Sequence, residues 1–475
     1  MKKVVSALAA LTMLLTFTAC GETPADNVDA DSTKPAATEP ADDGGDETTP
    51  ADDNGEKQTL NVYAFTVEVP DMVKKYCELH PDFNYEIKET IIPTTDGLYQ
   101  PALNEALLGG GKDAPDMYAA EAAFVLKYSQ GDMAKYAATY EELGIDADAK
   151  AKEAEIAQYT IDIGTRDGKI VALGYQATGG AFIYRRSIAK DVWGSDDPAT
   201  VQDAIGAGSG NWDKFFAAAD ELKAKGYGIV SGDGDMWHAV ENSSEQGWVD
   251  GNKLVIDPKR EEFMDLSKKL MDNDYHNDTQ DWQEGWFADM KGEGDKGILG
   301  FFGPAWLINY SMADNCGSEN KTKGEGTWGD WAVCEPPVGF FWGGTWVLGS
   351  AASEKKEAVG KVIEWITLDT SEEGLQYMWA NGTLNGEGGT KDAVASNVVM
   401  KKSDGSVSFL DGQNMFDVFV PANDFANGKN LTQYDEEINA KWRDQVRQYT
   451  SGQKSKEDAI KDFKQACADE LGLDT

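Results

Sequence analysis

From Thr59 onward the chain alternates short strand-like and helix-like segments, and that alternation limits its fold more than any other feature. TLNVYAF alternates apolar and polar positions as a half-buried strand does, and in VPDMVKKYCELHP the residues Met72, Val73, Tyr76 and Leu79 fall at helical spacing. NYEIKETII reads as a second strand, GLYQPALNEALLGGGK as a helix with a glycine stop, and DMY as a third strand. Strand and helix in repetition build an α/β lobe with a parallel sheet, because parallel neighbours need a crossover connection that a helix supplies. Ligands of such sheets gather at the carboxyl ends of the strands. Glu68 follows the first strand and Glu121 the third, so both are expected to face one cleft.

The pattern then restarts. KIVALGY and GAFIYR are strand-like, NWDKFFAAADELKAKGYGIV is an amphipathic helix entered at Asn211, and REEFMDLSKKLMDNDY is another helix. Two helical blocks, DEEINAKWRDQVRQYTSG and KEDAIKDFKQACADEL, close the chain. Residues 59–475 are too many for one compact core and suit two lobes.

The first 58 residues have another character. Lys2 and Lys3 precede Val4–Ala19, which is mostly apolar but shorter than the roughly 20 residues a spanning helix needs. A basic start, a short apolar centre and small residues at the end form a secretory signal, expected over residues 1–19. Thr16-Phe17-Thr18-Ala19-Cys20 resembles the bacterial lipobox, with Phe17 where Leu is usual, and implies lipidation of Cys20. Gly21–Gln58 holds twelve acidic residues, two Lys and four Pro with almost no large apolar side chains. It cannot bury enough apolar surface to offset its ordering entropy, so residues 20–58 are expected to form an extended acidic tether from a lipid anchor. This arrangement would place a folded domain just outside the cell membrane, at its extracellular face.

The net charge of −40 at pH 7 is larger than the tether supplies, so the folded part is acidic too. Such a field disfavours nucleic acids and other polyanions and leaves neutral or cationic ligands open. Of the cysteines after Cys20, Cys77 and Cys467 sit in helix-like contexts and read as packed thiols. Cys316 and Cys334 bracket a polar, Gly-rich segment, and a disulfide between them is left open. His80, His238 and His276 are not at metal-ligand spacing. DNDYHNDTQDWQE, starting at Asp272, lacks the Gly and Glu that a calcium loop places at its sixth and twelfth positions, and reads as a solvated loop. There is no Walker-type loop and no dinucleotide fingerprint, so neither a metal nor a cofactor is expected.

The blocks taken in order resemble the extracellular solute-binding proteins of carbohydrate ABC importers, the maltose-binding type. GGGKDAPDMY matches the helix ending in Gly before a "PD" strand. GKIVALGYQATGGAFIYR matches the block of two central strands, with Gly174 where Pro is usual, and NWDKFFAAADELKAKG matches the "tWdef" helix. KGEGDKGILGFFGPAW and PPVGFFWGGTWVLGSAASEKKEAVGKVIEWI follow in the family's order. The resemblance spans nearly all of residues 59–475. It implies a two-lobed periplasmic-binding-protein fold (type II) with ligand held between the lobes. Lobe 1 would comprise 59–168 and 344–395, and lobe 2 would comprise 169–343 and 396–475, with hinge crossings near Gly168, Gly343 and Thr390.

Fourteen Trp are many for this length, and they cluster between Trp237 and Trp346. A sugar ring has an apolar face that flat aromatics cover and a polar rim that carboxylates and amides bond. The expected ligand contacts are Glu68, Glu121, Tyr175, Trp237, Trp248, Trp306, Trp342, Trp346 and Tyr434. Trp212 and Trp365, at helical spacing among apolar neighbours, read as core, and Asp235 and Glu245 read equally well as surface acids. The resemblance implies a monomeric, non-enzymatic binding component that passes a neutral sugar or oligosaccharide to a membrane permease. A polyamine-type cationic ligand is the alternative, since aromatics and acids also suit an ammonium group. A glycosidase or glycan-binding adhesin fits less well, because no glycosidase pattern accompanies the acids.

Overall fold

The computed structural model describes residues 57–475 except Thr95, Asp96 and Glu387. The expected signal, the Cys20 lipidation site and almost all of the acidic tether lie outside the described residues.

Two sheets organise the molecule. Strands β1 (Gln58–Ala64), β2 (Tyr85–Ile91), β3 (Met117–Glu121), β4 (Ala172–Gly174) and β8 (Thr345–Gly349) form the first, in the order β2-β1-β3-β8-β4. β1 runs parallel to β2 and β3, as the alternation requires, while β8 returns antiparallel against both β3 and β4. Strands β5 (Ala181–Arg185), β6 (Gly300–Gly303) and β7 (Trp331–Cys334) form the second, an antiparallel sheet in the order β6-β5-β7.

The expected local patterns produce these elements. In β1, Leu60, Val62 and Ala64 alternate into the core. Helix α1 (Glu68–Leu79) buries Val69, Met72, Val73 and Tyr76, a stripe at helical spacing that packs on the sheet, with Tyr76 against Trp365 at 5.5 Å between ring centroids. Helix α2 (Tyr99–Gly109) ends at Gly110 with φ 61° and ψ −159°, a backbone position closed to side-chain-bearing residues. Just before β3, the buried Asp116 carboxylate accepts from Asn61 N (2.8 Å), Ser353 Oγ (2.7 Å) and Lys355 Nζ (2.8 Å), tying β1 and β3 to the turn after β8.

The chain leaves the first sheet after Gly174 and joins the second at Ala181, beyond the crossing expected near Gly168. Gly168 instead turns a two-residue hairpin, with Asp167 and Gly168 both left-handed (φ 52° and 76°), the geometry an Asp-Gly turn favours. The crossing segments run side by side, since Gly179 bridges Phe341 and Gln176 bridges Val394.

Gly164 is the tightest point of this region. A Cβ there would lie 1.8 Å from the Ala172 carbonyl oxygen, which belongs to β4 and cannot easily yield. Gly164→Ala is therefore expected to cost about 3 kcal/mol by overpacking, read as a lower urea midpoint at unchanged slope. An unchanged midpoint would refute the close packing.

Cys316 and Cys334 do not form a disulfide. Both are buried free thiols, but they sit in different apolar clusters: Cys316 packs with Met312 and Trp328, Cys334 with Phe340 and Ala332. Cys316 Sγ donates to the Ala313 carbonyl at 3.2 Å. The run from Asp272 is also more than a solvated loop. Tyr275 and His276 are buried, and Asp281 pairs with Arg443 at 2.8 Å.

Candidate ligand site

Three tryptophans from separate segments form one aromatic surface. Trp306 sits in the first helical turn after β6, Trp342 in the loop before β8, and Trp282 in the loop before the helix Glu284–Lys291. Trp282 lies nearly parallel to Trp306 (6.0 Å, 8°), and Trp306 packs edge-on against Trp342 (4.8 Å, 68°). The Trp306 indole N–H donates to the Trp342 carbonyl at 2.9 Å. His238 stacks on Trp342 (4.7 Å, 23°). Trp282 is 52% exposed, held by a left-handed backbone (φ 65°) and by contact with the buried Trp286. Flat apolar faces left partly in solvent beside polar groups can cover a sugar ring.

Carboxylates flank this surface at both ends. Glu121 ends β3, and its Oε2 accepts from Ala123 N at 2.7 Å. A Cβ on Gly343 would stand 3.5 Å from Glu121 Oε1 and 3.4 Å from Trp306 Nε1, so the carboxylate and the indole face each other across that glycine. Burial pushes the Glu121 carboxyl up to about 7. A cavity of about 160 Å³ opens here, lined by Glu121, His238, Glu241, Trp342, Asp435 and Glu436 among others.

The other end centres on Glu68, at the start of α1. Its carboxylate accepts from the buried Tyr175 hydroxyl, and burial raises its pKa against the lowering effect of that bond. Asp392 lies close by, fully buried, accepting from Ala393 N (2.8 Å) and Gln176 Nε2 (3.5 Å). Burial, with a smaller contribution from the Glu68 charge, pushes it up to about 7. Glu68, Tyr310, Trp379 and Thr390 line a cavity of about 280 Å³. Tyr310 belongs to the short helical stretch that follows Trp306.

The structure thus brings together Glu121, Trp306 and Trp342 at one end, and Glu68 and Tyr175 at the other. Tyr434 is half-buried, packs against the second core cluster and precedes the helix Asp435–Thr450. Three expected contacts belong to the core instead. Trp237 packs on Phe263 at 4.9 Å. Trp248 is 0% exposed, lies under the Arg260 guanidinium at 4.4 Å and donates to Asn439 Oδ1 at 2.6 Å. Trp346 alternates inward on β8 and donates to the Thr160 carbonyl at 3.0 Å. The Trp248 and Trp346 indole N–H groups each have a protein partner, and none of the three residues lines either cavity. Trp248→Ala is expected to cost about 3–5 kcal/mol of stability, measured by denaturant unfolding. A loss of less than 1 kcal/mol would argue against core packing.

Asp235 is likewise no surface acid. It accepts from Ser231 N (2.9 Å), Gly232 N (3.0 Å) and Trp286 Nε1 (3.1 Å) beneath the aromatic surface, and burial pushes it up to about 8. Sequence reasoning missed His238, Asp392 and Asp435 because nothing local marks them. Trp282 did carry a signal: an aromatic in an Asp-rich loop has no apolar neighbours in sequence to pack against.

Aromatics and carboxylates gather where the chain crosses between the two sheets, and this cleft is the candidate ligand site of a two-lobed protein. The family model described as bacterial extracellular solute-binding protein matches residues 65–373, and the chain belongs to that family. Comparison with curated protein sequences gives no match. Among solved structures, an extracellular solute-binding protein of family 1 superposes with a TM-score of 0.69 at 18% identity, covering 86% of this chain and 98% of that one. The galacto-N-biose/lacto-N-biose I-binding protein of an ABC transporter from Bifidobacterium longum, solved with lacto-N-biose, gives 0.62 at 17% identity, covering 89% and 100%. The GacH receptor of Streptomyces glaucescens, solved unliganded and with acarbose, gives 0.57 at 17% identity, covering 88% and 99%. Among the described residues no helix is long and apolar enough to cross a membrane.

Proposed function

We propose that the chain is the lipid-anchored binding component of an ABC importer, capturing a neutral sugar or oligosaccharide and delivering it to a membrane permease without chemical change. The observation that carries this reading is the Trp282–Trp306–Trp342 surface beside an acidic cavity that Trp342 helps to line. The sugar-binding solved structures of the same fold add support. In this reading lobe 1 is built on the first sheet and lobe 2 on the second. A ligand touching both lobes favours the closed arrangement, which the permease recognises. Gln100 of α2 donating to Glu436 (3.0 Å), and Asp132 N donating to Gln433 (3.1 Å), are contacts across the rim that closure would retain. Cys20 would hold the protein at the outer face of the membrane, as a monomer.

A thermal-shift panel of neutral oligosaccharides tests the proposal. A ligand at about 100 times its dissociation constant adds roughly 2.7 kcal/mol, enough to move the melting curve by several degrees. The expected result is a shift with one oligosaccharide family and recovery of that sugar at unchanged length. Shortened sugar would indicate a hydrolase, and silence across the panel would overturn the neutral-sugar reading.

A further inference from the structure

The cavity between Glu121 and the helix Asp435–Thr450 has a charge balance that a neutral ligand leaves unexplained. Four carboxylates line it, from Glu121, Glu241, Asp435 and Glu436, and no Lys or Arg does. Glu241 is already served: His238 lies 3.5 Å away and Asn439 Nδ2 donates at 2.6 Å. Burial would raise its pKa, but the His238 hydrogen bond and charge, together with Arg260 and Asn439, lower it below the usual value. Glu436 accepts from Gln100.

Asp435 differs. It is 6% exposed, and its Oδ1 takes the amide of Thr432 at 3.0 Å together with the Thr432 hydroxyl. Its Oδ2 has no hydrogen-bond partner among the described residues. A carboxylate in the first turn of a helix is ordinarily explained by the helix dipole, and Asp435, Glu436 and Glu437 all occupy that turn. The dipole does not account for one oxygen being buried and unpartnered in a residue that lines the cavity, since such an atom costs about 1–3 kcal/mol or more when left unmet. The nearest cation is the guanidinium of Arg260, which interacts with Glu241, Asp435 and Asp257 from behind the cavity. Its Nη1 donates to the Gln246 carbonyl (2.8 Å) and its plane lies on the Trp248 face, while Nε and Nη2 have no hydrogen-bond partner among the described residues. The face of the cavity that a ligand meets holds acids and the Trp342 ring.

We infer that the ligand presents a protonated amine to this cavity, seated between Glu121 and Asp435 and against Trp342, so that the preferred solute is an amino sugar. The inference rests on the sugar-binding reading of the same cleft. An ammonium group donates three hydrogen bonds, enough for Glu121 Oε1 and Asp435 Oδ2, and gains from the indole face. In the empty cleft Glu121 and Asp435 are both pushed up to about 7, chiefly by burial, so each is partly protonated at neutral pH. A bound ammonium favours their charged forms, and binding should therefore release protons.

The test uses the full chain at pH 7 in isothermal titration, with two probes: the β-1,4-linked disaccharide of glucosamine and its fully N-acetylated counterpart. The expected result is at least tenfold tighter binding of the free amine, with proton release revealed by a heat that varies with buffer ionisation enthalpy. Asp435→Asn and Glu121→Gln should each bring the preference close to one. Equal or tighter binding of the acetylated sugar overturns the inference and leaves the sugar reading standing. A preference that survives both substitutions overturns it too. Spermidine, run alongside, separates the two readings: binding of spermidine and of neither sugar would keep the amine site and remove the sugar. No binding of any probe overturns the inference and leaves the sugar reading to the neutral panel.

Discussion

Trp342→Ala is expected to lower affinity for the bound sugar by about 2 kcal/mol or more, roughly 30-fold, with little change in thermal stability. Trp342 is half-buried and carries three roles at once. It offers a ring face, backs His238 at 4.7 Å, and supplies the carbonyl that orients Trp306. Only the carbonyl survives truncation, so the ring's stacking and the placement of His238 are lost together. The same substitution at Trp248 removes a fully buried ring and should act the other way, on stability first. A Trp342→Ala protein that binds the sugar as tightly as the parent would show that the aromatic surface does not hold the ligand. Titration monitored by tryptophan fluorescence, paired with melting curves of both variants, gives the two readouts.

The second large effect is on stability against pH in the absence of ligand. Asp235 is pushed up to about 8, and Glu121, Asp392 and Asp435 to about 7, with burial the largest cause in each. Between pH 5 and 8 the folded chain holds these protons while the unfolded chain, with carboxyls near 4, has released them. Folding then takes up protons, so stability declines as pH rises through this window. Each acid should contribute on the order of 1 kcal/mol once relaxation and water entry are allowed for, and together they should lower the melting temperature by about 5 °C from pH 5 to 8. His276 opposes them. Burial holds its imidazole below the usual value, so the unfolded chain gains a proton there as pH drops below 6.5 and stability falls on the acid side. That is one group against four, acting only in the lower half of the window. A melting temperature that is flat or rises from pH 5 to 8 would show that these carboxyls are not held in apolar surroundings.

An ammonium ligand should reverse the trend at the Glu121–Asp435 end, because it stabilises the charged carboxylates that burial disfavours. Adding the glucosamine disaccharide should therefore protect the protein more at pH 7 than at pH 5.

The alternation of strands and helices, the stripe on α1, the glycine stop at Gly110 and the family all follow from the order of residues, because each depends on neighbours within a turn or a strand. Glu68 and Glu121 lie near the carboxyl ends of β1 and β3, as strand order predicts, Glu68 opening α1 and Glu121 closing β3. The tryptophans divide differently. Trp248, Trp306, Trp342 and Trp346 all read as loop aromatics, yet Trp248 and Trp346 pack into cores while Trp306 and Trp342 stay half-buried and pack on each other. Trp248 is claimed by Arg260, Trp442 and Phe463, and Trp346 by the Thr160 carbonyl, partners far away in sequence. Asp392 and Asp435 are buried in the same way, against segments that arrive from elsewhere. Local periodicity sets which side of an element is apolar. Which apolar side meets another element and which is left facing a cleft is decided only when distant segments pack.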